Sequence, residues 1–458
     1  MHFTPPDEEL ASIFNITWNP DSWGQEEDTE VYATFPNWQN PRICMFPCHS
    51  LLDRGKLIYT AVTMYEAMAK MPRMDIPIDG ASGDNGLFWN PSSLDPETYW
   101  RSYARTGHYD KPIGRDNLHV ITRHKVRKVL FSENSTQASG VEFYSRDGAG
   151  EPSTVRANKE VILSAGTVHT PQILQLSGIG PRQLLEDSGI PVRASIPGVG
   201  QNFQDHAYLS VGFAWRNGTP PIPDVPIPGN PATVASPNIG AWIGLPTMTE
   251  TFDDIASRYE AQDPAEFLPE NTDPAVIAGY AEFQRVHAAL LRDTNTNLLW
   301  LPITGGPGGI VMSMHIVSHG VININPDDLD GSPIVDYRAL SNPIDMDIMV
   351  ENIEYMRKFM ASDDLARYRP EETSPGSDVT GEALRDWIRT VYIPTNFHPV
   401  ATAAKKPLEL GGVVDEELRV HGTERLRIVD ASVMPLLPGA NTQQPVYMLA
   451  EKVRPLAK

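Results

Sequence analysis

The chain has 458 residues, of which 41% are hydrophobic and 21% charged, and this composition is typical of a globular protein with two or three domains. Its formal net charge of −21 argues against binding to nucleic acid or to an anionic membrane surface. No uninterrupted run of about 20 apolar residues occurs, so the sequence predicts no membrane-spanning helix.

The N-terminal region, to about residue 41, is polar, acidic and rich in proline, which predicts loops and one short helix over residues 7–14. Its first ten residues contain neither a basic segment nor an apolar one, so we expect no signal peptide there. The sequence leaves the compartment open between the cytoplasm and secretion.

Residues 42–62 follow neither a helical nor a strand period, and they contain both cysteines of the chain. Cys44, Cys48 and His49 are metal-ligating residue types, but zinc needs a second pair of ligands that this segment lacks. We therefore predict no metal site. We interpret the segment as an insertion, with a translated intron as the hypothesis for its origin.

Strand patterns dominate the next part of the chain. Residues 117–131 alternate apolar and polar side chains, which predicts a pair of strands. Residues 140–144 and 154–165 are predicted to continue the same sheet. His206, further on, is a possible base by residue type, but we interpret it as a hydrogen-bonded histidine at a domain junction.

Caps and amphipathic periods predict the helices. Thr170 and Pro171 predict the cap and first turn of one helix, which ends at the glycine-containing turn 177–181. The period of apolar residues predicts three more helices: residues 274–292 with Asp273 as cap, residues 343–360 with methionines that pack in the core, and residues 381–391.

The C-terminal region carries the strongest candidate site. His398 lies in an irregular segment, and Asn441 follows 43 residues later, after a short apolar strand that ends at Asp430. A helix is predicted to begin near Asn441. Such a strand, loop and helix N-terminus is where α/β proteins hold anionic ligands, because the backbone N–H groups there lack partners.

Two long motifs in this sequence resemble the glucose–methanol–choline (GMC) oxidoreductases. One runs over residues 166–180, GTVHTPQILQLSGIG. The other combines the sequence HPVAT from His398, the sequence DASVMP from Asp430, Asn441, and the sequence AEK that ends at Lys452. The resemblance covers most of the chain from about residue 3 onward, and it is closest to the fungal type.

The resemblance implies an α/β fold, in which a Rossmann-like FAD-binding domain is joined to a substrate domain with a mixed or antiparallel sheet covered by helices. The family's first strand, G-x-G-x-x-G turn and helix hold the FAD pyrophosphate, and this sequence contains no such turn. We therefore expect an N-terminally truncated member that lacks the first βαβ unit. The predicted parts are residues 1–115 as a remnant of the FAD domain and the entrance, 116–206 in the FAD domain, 207–394 as the substrate domain, and 395–458 as the C-terminal part of the FAD domain with the active site.

The family's chemistry implies FAD as cofactor, a small-molecule alcohol as substrate, and oxygen or a quinone-type compound as electron acceptor. A neutral imidazole is a suitable base, so His398 is predicted to take the alcohol proton. The amide of Asn441 does not titrate, but it can donate a hydrogen bond to the substrate oxygen. The resemblance also assigns contacts to further residues: flavin contacts to Asp430, Ala431, Asn441, Thr442 and Gln443, an adenine contact to the backbone of Val126, and the oxygen-reactive side to Arg419 and Val420.

Two departures from the family pattern stand close to His398. Ala401 occupies a position where the family has glycine, and Lys405 with Lys406 replaces part of a small–Met–Gly–Pro run. The predicted function is FAD-dependent oxidation of a CH–OH group in a small or aromatic alcohol. The alternatives are a non-redox lyase or cyclase with a structural flavin, and an inactive product that cannot hold FAD.

Overall fold

The computed structural model describes residues 59–77, 83–89, 103–110, 117–146, 148, 150–218, 239–303 and 306–453. The predictions for residues 1–58 lie outside these residues. They include the helix over residues 7–14, both cysteines with His49, and all but the last four residues of the proposed insertion.

The strands, in chain order, are β1 (Gly86–Trp89), β2 (His124–Phe131), β3 (Ala138–Ser145), β4 (Ser153–Arg156), β5 (Val161–Leu163), β6 (Ile179–Gly180), β7 (Ala194–Ser195), β8 (Ala207–Trp215), β9 (Ile239–Ile243), β10 (Leu299–Ile303), β11 (Gly308–Ser313), β12 (Val321–Asn323), β13 (Ile334–Asp336), β14 (Pro370–Ser374) and β15 (Leu426–Ile428). The α-helices are α1 (Tyr59–Ala69), α2 (Gly166–Leu176), α3 (Arg182–Asp187), α4 (Leu245–Met248), α5 (Phe252–Glu260), α6 (Pro274–Arg292), α7 (Pro343–Met360), α8 (Asp363–Ala366), α9 (Gly381–Val391) and α10 (Gln443–Val453).

The largest sheet has six strands in the order β1-β9-β10-β11-β8-β14, and every neighbouring pair is antiparallel. Side chains along a strand alternate between the two faces of a sheet. In β10, Leu299, Leu301 and Ile303 are accordingly buried in a core shared with helices α6 and α7, whereas Trp300 faces the other side. One face of the sheet is therefore covered by helices, and the other face is aromatic.

A second group of elements surrounds the parallel pair formed by β5 and β15. A three-stranded antiparallel sheet, in the order β2-β3-β4, and helix α2 pack around this pair. Their core is almost entirely aliphatic and includes Leu163, Ile173, Val413 and Ile428. Because the strands of a parallel pair end at the same edge, the segments after Leu163 and Ile428 are brought together.

Helices α6, α7 and α9 confirm the three helices predicted in the middle of the chain, with the bounds expected from the sequence. The Asp273 carboxylate caps α6 by accepting from the backbone N–H of Ala275 at 2.9 Å. The methionines of α7 are core residues, as predicted. Among the described residues, no helix is long and apolar enough to cross a bilayer.

The predicted strand pair over residues 117–131 is wrong, because only β2 forms there and residues 117–123 are not in a strand. Arg123 has a φ of 63°, a left-handed conformation that ends an extended run. β3 and β4 continue the sheet of β2 as predicted, whereas β5 belongs to the separate parallel pair.

The predicted start of α2 is also wrong. The helix begins at Gly166, and Pro171 lies inside it. The Asp430 carboxylate caps this helix by accepting from the Gly166 N–H at 2.9 Å. Pro171 cannot donate to the Thr167 carbonyl four residues earlier, and the Thr402 hydroxyl donates to that carbonyl at 2.6 Å instead. Partners from the distant C-terminal region thus permit a helix that the local sequence does not predict.

Candidate active site

His398 is held in place by the segment Gln204-Asp205-His206, which leads into β8. The Asp205 carboxylate is buried and accepts from the backbone N–H groups of Asn396 at 3.2 Å and His398 at 3.0 Å. Val400 donates its N–H to the Gln204 carbonyl at 2.9 Å. The irregular loop that carries His398 is therefore fixed on both sides of the histidine.

The side chain of His398 contacts the side chain of His206. The two Nδ1 atoms are 2.9 Å apart, and His206 Nε2 is 2.9 Å from the Pro438 carbonyl oxygen. A carbonyl only accepts, so His206 carries its proton on Nε2 and donates it to Pro438. The Nδ1 atom of neutral His206 then accepts from the Nδ1–H of His398. This arrangement leaves Nε2 of His398 with its lone pair exposed for a proton.

Burial keeps both imidazoles neutral. Desolvation lowers the pKa of His398 to about 4, and it lowers the pKa of His206 well below the usual value, with a further contribution from the charge of His398. Desolvation raises the pKa of Asp205 to about 6 despite its hydrogen bonds, so this carboxylate is ionised at neutral pH. At neutral pH the pair therefore consists of two uncharged rings in a fixed proton arrangement.

Asn441 is exposed, two residues before helix α10 begins at Gln443. The preceding segment is anchored by two hydrogen bonds, one from His206 to the Pro438 carbonyl and one from Asn297 to the Gly439 carbonyl at 2.9 Å. His206 thus connects the loop of His398 with the segment that leads to Asn441. The predicted pair of catalytic residues is brought to the same part of the molecule by a third residue.

An aromatic wall, formed by Phe88, Trp242 and Trp300, lies on the face of the six-stranded sheet opposite to helices α6 and α7. The Trp242 and Trp300 rings stack with centroids 5.3 Å apart, and Phe88 stacks on Trp242 at 5.9 Å. Ala440, the neighbour of Asn441, packs in the same cluster. The side chains that pack around Ala440, next to Asn441, are therefore largely aromatic and apolar.

The residues at the edge of the parallel pair fit one wall of a flavin site. β5 is followed by Ser164-Ala165-Gly166, and a side chain built at Gly166, whose φ is 78°, would meet open space. β15 is followed by the segment that contains Asp430 and Ala431, and α10 begins directly after the buried Thr442. Small residues and free helix N–H groups at the ends of parallel strands are typical of nucleotide sites.

Asp430 is predicted to line the flavin, and its carboxylate is hydrogen-bonded within the protein. Besides Gly166, its carboxylate accepts from the Thr170 hydroxyl at 2.6 Å and from the Ser432 N–H at 2.9 Å, and the side chain is 6% exposed. Its oxygens are therefore occupied by the protein. A flavin contact at Asp430 would have to come from the backbone, whereas Ala431 and Thr442 stay predictions for direct contact.

Val126 is half-buried in β2, and the pairing with β3 shifts register between Val126 and Lys128. Such a shift leaves backbone groups unpaired, which suits a main-chain contact. Arg419 is exposed and forms ion pairs with Asp415 and Glu417, and Val420 lies in the aliphatic core. None of the contacts among the described residues joins Arg419 or Val420 to His398, so their oxygen-side role stays a prediction.

Sequence reasoning missed Asp205 and His206 as parts of the site. His206 is 192 residues from His398 along the chain, and no local period connects the two. The only signal was a carboxylate next to a histidine at the point where the chain leaves one sheet and enters another. No cluster of ligands suited to a metal ion occurs in the described part of the chain.

Comparisons with known proteins agree with this geometry. Two models of GMC oxidoreductases match residues 100–208 and 317–450. The chain is 31% identical to the dehydrogenase xptC of Emericella nidulans, over 100% of this chain and 73% of that protein. The chain spans between 59% and 73% of the length of the curated relatives that it matches.

Two solved structures share the fold. A fungal aryl-alcohol oxidase has a TM-score of 0.82 and 29% identity, and the match covers 100% of this chain and 77% of that one. An FAD-dependent oxidoreductase from Chaetomium thermophilum has a TM-score of 0.80 and 29% identity, with 98% and 77% covered. FAD is thereby indicated as the cofactor. The family matches, the 31% identity to a relative over 100% of this chain and 73% of that protein, and the shared fold establish that the chain belongs to the GMC oxidoreductase family.

Proposed function

We propose that this protein oxidises an aromatic alcohol to the carbonyl compound, with FAD as cofactor and His398 as the base. When bound, FAD supplies the acceptor for the hydride that leaves the carbinol carbon. The hydroxyl proton passes to Nε2 of His398, and the C–O single bond becomes a double bond. Two electrons and two hydrogens therefore leave the alcohol, which balances the oxidation.

The observation that carries this proposal is the contact between His206 and His398. Because Pro438 fixes the proton of His206 on Nε2, His398 is held with its own proton on Nδ1. Its Nε2 atom is then a proton acceptor at every pH above its lowered pKa of about 4. A base must be unprotonated and correctly oriented before the substrate arrives, and this pair supplies both conditions.

Asn441 and the aromatic wall support the choice of substrate. The carboxamide N–H of Asn441 is a suitable donor to the alcohol oxygen as negative charge develops there. The stacked Trp242 and Trp300 rings offer a flat apolar surface next to Ala440. The structural neighbour that is an aryl-alcohol oxidase also supports an aromatic substrate.

On this proposal the flavin would lie against Ala431, Asn441, Thr442 and Gln443, with the adenine near the backbone of Val126. The residues of this chain contribute the base, the donor and the substrate surface. The electron acceptor that reoxidises the flavin is proposed to be oxygen or a quinone-type compound.

Anaerobic mixing of the FAD-loaded protein with benzyl-type alcohols tests the proposal. We expect the visible absorbance of the oxidised flavin to be lost, and we expect His398→Ala to slow this loss by at least about 100-fold, as removal of a general base does. His169→Ala is the matched control, because His169 is exposed and its ring contacts Gln172 rather than the loop of His398.

Two other outcomes would each favour one of the alternative functions, and a third would concern only the role of His398. A protein that binds FAD but leaves it oxidised with every alcohol would favour the non-redox lyase or cyclase. A protein that folds but takes up no FAD would favour the inactive product. Equal rates for His398→Ala and the wild type would remove His398 as the base.

A further inference from the structure

Lys406 is a buried lysine in the loop that follows the active-site histidine. Lys406 is only 6% exposed, although the next residue along the sequence on its N-terminal side is also a lysine. The Lys406 carbonyl accepts from His421 Nε2 at 3.0 Å, which fixes the backbone. No ion pair among the described residues includes the Lys406 ammonium group.

Lys406 is one of the residues that line a small cavity, called here the Lys406 cavity. Its polar lining includes Gln201, Thr272, Tyr280 and His319 in addition to Lys406. No carboxylate lines the cavity in the part of the chain that the structure describes. A buried cation without an anionic partner is strongly unfavourable, so the group either loses its proton or gains an anion.

His319, which lines the same cavity, has an unsatisfied ring nitrogen. Its side chain is 3% exposed, and its Nε2 atom has no hydrogen-bond partner among the described residues. Edge-to-face contacts hold the His319 ring in place: its centroid is 4.8 Å from that of the Tyr280 ring and 4.3 Å from that of the Phe283 ring. Burial, and then the charge of Lys406, lowers the pKa of His319 well below its usual value, so the ring is neutral and can donate from one of its two nitrogens.

The size of the Lys406 cavity limits its occupant. The cavity has a volume of about 10 Å³, which is room for about one particle of the size of a water molecule. A water molecule would satisfy His319 but would leave the charge of Lys406 unpaired. A monatomic anion would accept from both groups and neutralise the ammonium.

We propose that the Lys406 cavity is a binding site for a small monovalent anion of the size of chloride, held between the Lys406 ammonium and the His319 ring. The site does not depend on the proposed redox function, since its residues are separate from His398 and Asn441. Carboxylate or phosphate groups exceed the available space, so selectivity for a monatomic anion follows from the volume.

A chloride titration of the full chain tests this site. Chloride replaces gluconate at constant ionic strength and pH 7, and the thermal midpoint is measured for the wild type, Lys406→Met and Lys405→Met. We expect a saturable rise of the midpoint in the wild type and in Lys405→Met. Lys406→Met should lose at least about tenfold in chloride affinity. Lys405 is the matched control, because it is the adjacent lysine and does not line the cavity.

A crystal soaked in bromide gives an independent readout, because the anomalous signal locates the anion. A peak between Lys406 and His319 would support the proposal. The absence of a saturable chloride response in the wild type would overturn it. So would an equal response of the wild type and Lys406→Met, or a bromide peak elsewhere with none in the cavity.

Discussion

Replacing Lys406 by methionine should stabilise the protein at neutral pH when no small anion is present. Burial lowers the pKa of Lys406 from 10.5 to about 8, so the folded state disfavours its charged form. A shift of this size corresponds to about 3 kcal/mol at pH 7, at about 1.4 kcal/mol per unit. Methionine is apolar and unbranched, so it removes the charge without a large change of shape.

The sign of the pH effect follows from proton counting. Between pH 8 and 10.5 the unfolded chain holds the Lys406 proton and the folded chain does not, so the free energy of unfolding rises with pH in this window. Between pH 7 and 10 the wild type should gain about 2.5 kcal/mol more than Lys406→Met does. Contributions of other groups cancel in this comparison.

The assay is equilibrium unfolding by urea at pH 7 and pH 10 in chloride-free buffer, because guanidinium chloride would supply the anion. Adding chloride should reduce the advantage of Lys406→Met, since a bound anion stabilises the lysine charge. Equal pH dependence of the two proteins would refute the reasoning, and so would a loss of stability in Lys406→Met at pH 7.

Three further predictions concern the residues around the base. His206→Phe removes the acceptor for His398 Nδ1–H, so flavin reduction by alcohol should slow by about tenfold or more. In stopped-flow measurements the substrate affinity should change little, whereas the pH dependence of the reduction rate should shift. Ala401→Gly should leave the thermal midpoint unchanged or raise the stability by up to about 1 kcal/mol, because Ala401 has a φ of 79°. The free energy of unfolding should fall as the pH drops below 6.5, because buried histidines with lowered pKa values stay neutral only in the folded state. A curve of unfolding free energy against pH on the acid side measures this effect. Asp205, whose pKa is raised to about 6, opposes part of the effect. The histidines concerned are His206, His287, His315, His319 and His398.

The sequence predicted those elements whose signals are local. Helix α6 has its cap and a first-turn proline at its start, and α7 and α9 have strong amphipathic periods, so their bounds agree with the prediction. The start of α2 could not be predicted, because the group that caps it is the Asp430 carboxylate, 264 residues away. Without knowledge of the Asp430 contact, the pattern Thr170-Pro171 is typical of a helix start.

Of the candidate site, the sequence likewise predicted the residues that lie in local motifs and not the contacts between distant segments. His398 and Asn441 were identified from their motifs, while the tautomer that would suit His398 to the proposed role of base depends on His206 and Pro438, which only the fold brings near. The departure from the family's glycine at Ala401 has a physical consequence, because the backbone there is left-handed, a conformation that glycine adopts without strain. Lys406 entered the sequence analysis only as a departure from the family pattern, and its burial depends on packing that no short sequence window contains.

The most direct test of the central claim is the proton position on the two contacting imidazoles. Histidine labelled with ¹⁵N in the ring, with His206 and His398 assigned by substitution, reports the tautomer of each ring at pH 7 by long-range ¹H–¹⁵N correlation. The structure predicts that His206 carries its proton on Nε2 and His398 on Nδ1. A His398 ring protonated on Nε2, or a positively charged ring, would contradict its assignment as the base.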